Sequence, residues 1–135
     1  MAYINAEQVK SIRLALKQAF PEYKFSVTKE HHSSVNVTVT KGPAFEIQKV
    51  WNRGKEETVD LNTDGQSINH HHTHWYGDYQ NFFDRIVTII KTAPFIAGTS
   101  DRAWFDESDS MTDYFHTAYY MNVGVGKWDK PYEIV

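Results

Sequence analysis

Apolar residues recur along the chain at two different periods, and each change of period marks an element boundary. Val9, Ile12, Leu16 and Ala19 repeat at helical spacing, and Asn5 followed by Gln8 forms a capping-box arrangement in front of them. The pattern predicts a helix over 6–19, stopped by Pro21, whose ring removes a donor and disfavours helical geometry in the residue before it. Tyr23, Phe25 and Val27 then alternate with Lys24, Ser26 and Thr28. After the polar KEHHSS stretch, Val35, Val37 and Val39 alternate with Asn36, Thr38 and Thr40. Period-2 alternation on both sides of a polar turn predicts a β-hairpin with one wet face.

Gly42 and Pro43 punctuate next. Pro43 suits the first turn of a second short helix carrying Phe45, Ile47, Val50 and Trp51, with Gly54 ending it. Residues 55–68 read as a polar connection in which Thr63-Asp64-Gly65-Gln66 turns between short strands at 57–61 and 67–75. From Asp78 a strong helical pattern runs through Phe82, Phe83, Ile86, Val87, Ile89 and Ile90, and Pro94 is expected to close it. Phe115, Thr117, Tyr119, Met121, Val123 and Val125 occupy alternate positions of a long final strand. The order of elements predicts one α+β domain over 1–135, a mainly antiparallel sheet with about three helices packed on one face.

Composition agrees with a folded single core. The chain has 135 residues, 41% hydrophobic and 15% aromatic, enough apolar material for a domain of this length to fold without disulfides or a structural metal. It contains no cysteine, which excludes thiolate zinc sites, cysteine nucleophiles and iron–sulfur clusters. The N-terminal residues lack a signal-like apolar core, and no apolar run approaches a membrane span, so a soluble, cytoplasmic protein is expected. The net charge of −3 argues against a protein whose main work is neutralising nucleic-acid phosphates. The two parts of the chain differ: residues 1–60 carry nine Lys/Arg against seven Asp/Glu, and residues 61–135 carry five against ten.

The acid gathers in Asp101, Asp106, Glu107, Asp109 and Asp113, offset only by Arg102. A solvated loop accounts for such a run. A docking surface for a basic partner is the functional alternative, because Trp104, Phe105, Tyr114, Trp128 and Tyr132 place aromatic rings beside this charge, a combination found in protein interfaces and in ordinary cores. A calcium loop is a poorer fit, since DESDSMTD lacks the required spacing and central glycine.

Four of the seven histidines fall in His70-His71-His72-Thr73-His74. If extended, His70, His72 and His74 share one face, and an adjacent pair is spaced to converge on a metal, with a third ligand from His116, Asp78 or the acidic run. The blander reading is a polar strand or loop of exposed imidazoles, and a pH-sensing role is a third. No hydrolase signature accompanies them: in an H-x-H-x-D-H pattern starting at His72, the last two positions hold Tyr76 and Gly77. His31-His32 read as hairpin turn. Gly124-Val125-Gly126-Lys127 is not a phosphate loop, because Met121 and Trp128 stand where Gly and Ser/Thr are needed. Lys10, Arg13 and Lys17 form a basic stripe on the first helix. Three phosphate contacts would give a salt slope of only about 3, so nucleic-acid binding through them would be weak. A double-stranded-RNA-binding fold does not fit, because the later helix opens Gly77-Asp78-Tyr79-Gln80-Asn81 without basic residues.

The stretch Ile12-Arg13-Leu14-Ala15-Leu16-Lys17-Gln18-Ala19-Phe20-Pro21, continuing through Lys24-Phe25-Ser26-Val27 to Val35-Asn36-Val37-Thr38-Val39 and Gly42-Pro43, resembles the twenty-ninth of the large polyvalent protein-associated domain families. The shared pattern is a helix ending in A-F-P, a K-F-S-V strand, a loop, a β-branched strand, then G-P. It covers about residues 9–53, and Asn69-His70 ahead of the later helix is also similar. The resemblance implies a setting in bacteriophages and conjugative elements, some of whose proteins are thought to enter the host with DNA and blunt its defences. It implies no activity and carries over no catalytic residue.

The expectation is therefore a small accessory protein without catalytic residues or cofactor. It is expected to bind a host or phage protein through Asp101, Asp106, Glu107, Asp109, Asp113, Trp104, Trp128 and Tyr132. The alternatives are weak nucleic-acid binding through Lys10, Arg13 and Lys17, and a metal-dependent enzyme or sensor using His70, His72 and His74.

Overall fold

The computed structural model describes residues 4–31, 33–52, 54–62, 66–68, 73–98, 104, 119–126 and 132–134. Helix α1 (Ala6–Ala19) starts where the capping box predicts. Asn5 Oδ1 accepts the Gln8 backbone N–H and Gln8 Oε1 accepts that of Asn5, both at 2.9 Å, so two donors left unpaired at the helix start are satisfied. The helix stops before Pro21. Strands β1 (Lys24–Glu30) and β2 (Ser34–Gly42) form the expected antiparallel hairpin, with Val27 opposite Val37.

The second predicted helix is absent. Its residues form β3 (Gln48–Asn52), which pairs antiparallel with β4 (Lys55–Val59) as a separate two-stranded sheet. Gly54, at φ +78°, helps turn the chain between Asn52 and Lys55, a conformation that favours glycine. The segment misreads as helix because its apolar residues share no helical face: Phe45 is buried in the core and Val50 half-buried, whereas Ile47 is exposed and Trp51 is 73% exposed. The short strand expected at 57–61 lies earlier, as β4. Of the one expected at 67–75, β5 (Gln66–Ile68) covers the start, residues 69–72 lie outside the described residues, and Thr73–Tyr79 form a 3-10 segment, kinked at Tyr76 and Gly77, leading into α2 (Gln80–Ile96). Of the long final strand, β6 covers Tyr120–Val125, and residues 115–118 lie outside the described residues. A short β7 (Glu133–Ile134) pairs with the end of β2.

The fold class is α+β, with two corrections: there are two α-helices among the described residues, and the sheet is mixed. Its order is β1-β2-β6-β5, and the central β2–β6 pairing is parallel, as is β2–β7, while β1–β2 and β5–β6 are antiparallel. A parallel neighbour requires a long crossover connection, here the chain carrying β3, β4 and α2, and no local pattern marks which strands it joins. Val35, Val37 and Val39 of β2, with Met121, Val123 and Val125 of β6, are buried in one core with Ile12 and Leu16 of α1 and Phe83, Ile86 and Ile90 of α2. The opposite sheet face is polar. Asn122 Nδ2 donates to Asn36 Oδ1 at 2.8 Å, and Asn36 Nδ2 donates to Glu30 Oε2 at 3.1 Å.

Pro94 does not end α2, which continues to Ile96. A proline inside a helix leaves the carbonyl four residues earlier without its N–H partner. Here that carbonyl belongs to Ile90, and the buried Tyr119 hydroxyl donates to it. One residue further on, the Trp104 backbone N–H donates to the Lys91 carbonyl at 3.0 Å. Donors from outside the helix thus compensate for the proline. Tyr119→Phe should cost about 1–3 kcal/mol by leaving a buried carbonyl unpaired. Adding Pro94→Ala, which restores an N–H, should recover part of that loss, so chemical denaturation of the two single variants and the double variant should be non-additive. Additive costs would show that the hydroxyl does not substitute for the helical donor.

Candidate functional site

Helices α1 and α2 pack antiparallel. At one end Phe20 meets Phe82 at a ring separation of 5.0 Å and Arg85 lies 4.6 Å over the Phe20 ring. Towards the other end, small side chains hold the helices close without filling the space between them. The result is an open groove of about 320 Å³ with Ser11, Ala15 and Ala93 beneath and Leu14, Ile89 and Ile96 along its sides. Ser11 Oγ donates to the Glu7 carbonyl at 3.0 Å and Thr92 Oγ1 to the Thr88 carbonyl at 2.7 Å, so both hydroxyls are paired and the lining, apart from the Gln18 amide, is apolar. Leu14 is 50% exposed and Ile96 79%. Ile96 reaches this position only because α2 passes through Pro94. Exposed apolar residues gathered along a concavity, as opposed to scattered singly, mark interaction surfaces.

The predicted basic stripe borders this groove. Lys10 and Lys17 are exposed and lie one turn on either side of Leu14. Arg13, also exposed, donates from Nη2 to the Val27 carbonyl of β1 at 2.8 Å, so part of its donor set is spent on an edge strand. A phosphate-binding stripe would then rely chiefly on two cations, with a salt slope of about 2.

The predicted partner surface is divided. Tyr132 is only 5% exposed and stands in the core, a correction to its expected surface role. Its ring lies 4.9 Å from that of Phe45, and its hydroxyl donates to the Pro43 carbonyl at 2.7 Å. Trp104 is half-buried: Nε1 donates to the Tyr119 carbonyl at 2.6 Å and Lys91 Nζ lies 4.6 Å over the ring. It fastens the far side of α2. Asp101, Asp106, Glu107, Asp109, Asp113 and Trp128 lie outside the described residues, as do His70 and His72. The backbone of His74 belongs to the 3-10 segment, so the alternating-face geometry proposed for a metal pair does not extend through it. Among the described residues no group of three or more His, Asp or Glu is placed to hold a metal ion.

Tyr23, Tyr79 and Tyr132 surround the aromatic cluster of Phe20, Phe45 and Phe82, and Tyr119 is buried apart from it against α2. Burial, with Tyr79 and Glu22 nearby, raises the Tyr23 hydroxyl above its ordinary value, and burial, with Tyr23 and Tyr79 nearby, raises that of Tyr132 further. Burial alone raises Tyr119. A folded-state value above the unfolded one, about 10 for tyrosine, means that the contribution to stability is complete below that pH and is lost as pH rises through the folded values. Urea midpoints should therefore fall above about pH 10, and Tyr132→Phe should flatten that fall while lowering the neutral-pH midpoint. An unchanged wild-type midpoint across this range would refute the account.

Leu14 and Ile96 were not among the residues singled out by sequence. A signal for the first existed: Leu14 falls off the face defined by Val9, Ile12 and Leu16, and Ile89 likewise widens the apolar face of α2. No helix among the described residues is long and apolar enough to cross a membrane. The model of one protein family, large polyvalent protein associated domain 29, matches residues 3–92, well beyond the 9–53 stretch that carried the resemblance. No curated protein and no solved structure matches the chain.

Proposed function

The chain belongs to the large polyvalent protein associated domain 29 family, and from that premise we propose that it is an accessory protein of a phage or mobile element which acts by binding another protein through the α1–α2 groove. The observation that carries this reading is the exposure of Leu14 and Ile96 on either side of a concave, paired-polar floor. Such grooves take the apolar face of a partner helix, read through anchors at i, i+3 or i+4 and i+7. The acidic residues Asp101, Asp106, Glu107, Asp109 and Asp113 remain a second contact region in this proposal, supported by their clustering in sequence beside aromatic residues.

Replacing both Leu14 and Ile96 by Glu tests it. Each position is exposed, so each change should alter stability by only about 0.5 kcal/mol. At native expression levels in its own host, the wild-type chain should co-purify one protein in fixed stoichiometry. The double variant should recover less than about one-tenth as much, as charges introduced into an interface core oppose binding. Full retention by the double variant, with loss on neutralising Asp106, Glu107 and Asp109, would move the contact to the acidic region and defeat the groove reading.

A further inference from the structure

The groove is bordered by unlike chemistry on its floor and its rim, and that contrast narrows the partner. Lys10 and Lys17 flank Leu14 on the outer side of α1, and Arg85, one turn before Ile89, stands at the Phe20 end. Opposing them is Glu7, in the first turn of α1, where a carboxylate favours the helix N-terminus. On α2 the neighbouring exposed position is Thr88, and the nearest acid, Asp84, accepts a hydrogen bond from the Thr73 hydroxyl of the 3-10 segment. Beside Leu14 the α1 border is therefore positive, with Lys10 and Lys17 both exposed, while at the Phe20 end Arg85 stands among the exposed acids Asp84 and Glu22.

We propose that the α1–α2 groove receives an amphipathic helix of another protein whose apolar anchors are flanked by Asp and Glu. This rests on the groove reading above and adds the partner's charge. The floor of Ser11, Ala15 and Ala93 leaves depth for a large apolar anchor, and Leu14 and Ile96 close on its sides. Acidic flanking residues then meet Lys10 and Lys17 along the α1 side. Charges at a rim act mainly on encounter rate and on the choice between partners. A second copy of this chain is a poor occupant, because seating its α1 face here would bring the same two lysines against these.

The test uses two fluorescent, side-chain-stapled helical peptides of about 15 residues with Leu at the anchor spacing, one carrying Glu and the other Lys at the flanking positions. Anisotropy titrations with the full chain at about 50 mM salt should show the Glu peptide binding roughly tenfold or more tighter than the Lys peptide, and the difference should shrink at about 300 mM salt. Leu14→Glu should abolish binding of the Glu peptide, and the double variant K10E/K17E should reverse the preference. Equal affinities, a preference for the Lys peptide, or no binding of the Glu peptide would overturn the proposal. Equal affinities that Leu14→Glu abolishes would leave the groove standing and remove only the acidic partner, whereas binding indifferent to Leu14→Glu would remove both. A concentration-dependent dimer that Leu14→Glu dissociates would identify a second copy as the occupant. A gain in peptide affinity on neutralising Asp106, Glu107 and Asp109 would identify the chain's own acid as the competitor. Either result overturns the proposal.

Discussion

Phe83→Ala should remove about 3–5 kcal/mol of stability, the largest loss expected from any single truncation considered for this protein. Phe83 is fully buried on α2 and packs edge-on against Tyr76 and Phe82, with ring separations of 5.2 Å in both cases. Truncation loses the transfer free energy of the ring and leaves a cavity, because α2 is held on one flank by α1 and on another through Trp104 and Tyr119 and has little freedom to collapse inward. A domain of this size has about 5–15 kcal/mol in total, so the variant should lie near its unfolding threshold. Its melting temperature should fall by roughly 10–20 °C. Phe83→Leu, which keeps most of the volume, should cost only about 1.5 kcal/mol. Calorimetry on the pair checks both values. An alanine variant that melts within a few degrees of wild type would mean that the site relaxes and that Phe83 is not a fixed centre of the core.

Gly77→Ala should be nearly as damaging, for a different reason. Gly77 kinks the Thr73–Tyr79 segment at φ +60° and ψ −126°, a conformation that only glycine enters readily. A Cβ there would also lie 2.7 Å from Gln48 Oε1 and 3.1 Å from Gln48 Cβ. The first contact is with the end of a side chain, but that oxygen accepts the Asp78 backbone N–H at 3.0 Å and is not free to move away. The second is with the root of the side chain. Backbone strain of about 1–3 kcal/mol and overpacking of similar size together give an expected cost of about 3–5 kcal/mol. Because Gln48 is on β3, the damage should also reach the β3–β4 sheet. The double variant Gln48→Ala, Gly77→Ala should recover the part of the overpacking due to Oε1 and Cγ and retain the Cβ contact and the backbone part. Urea denaturation of the two single variants and the double gives that coupling directly, and a cost below about 1 kcal/mol for Gly77→Ala alone would contradict this geometry.

The candidate site was partly readable before the fold was known. Lys10 and Lys17 were visible as a helical stripe, and their exposure follows from the same periodicity that buries Val9, Ile12 and Leu16. What they border was not visible, because the opposite wall comes from Ile89 and Ile96, about eighty residues away in the chain. The apparent stop at Pro94 concealed Ile96. Tyr132 misled for the converse reason: composition marks a tyrosine as equally suited to a core and to an interface, and only its contacts with Phe45 and Pro43 decide between them.

Short-range physics was enough for the elements governed by neighbours in the chain. The capping box and Pro21 set both ends of α1, and alternation set the β1–β2 hairpin and its inward-facing valines, because caps, proline geometry and side-chain period act within a few residues. Long-range packing decided the rest. It made β2 and β6 parallel neighbours, paired Gln48–Asn52 with β4 in place of the expected helix, and carried α2 through Pro94 by supplying the Tyr119 hydroxyl to Ile90. The groove belongs with these, since its two walls have no common period and meet only when the core draws α1 against α2.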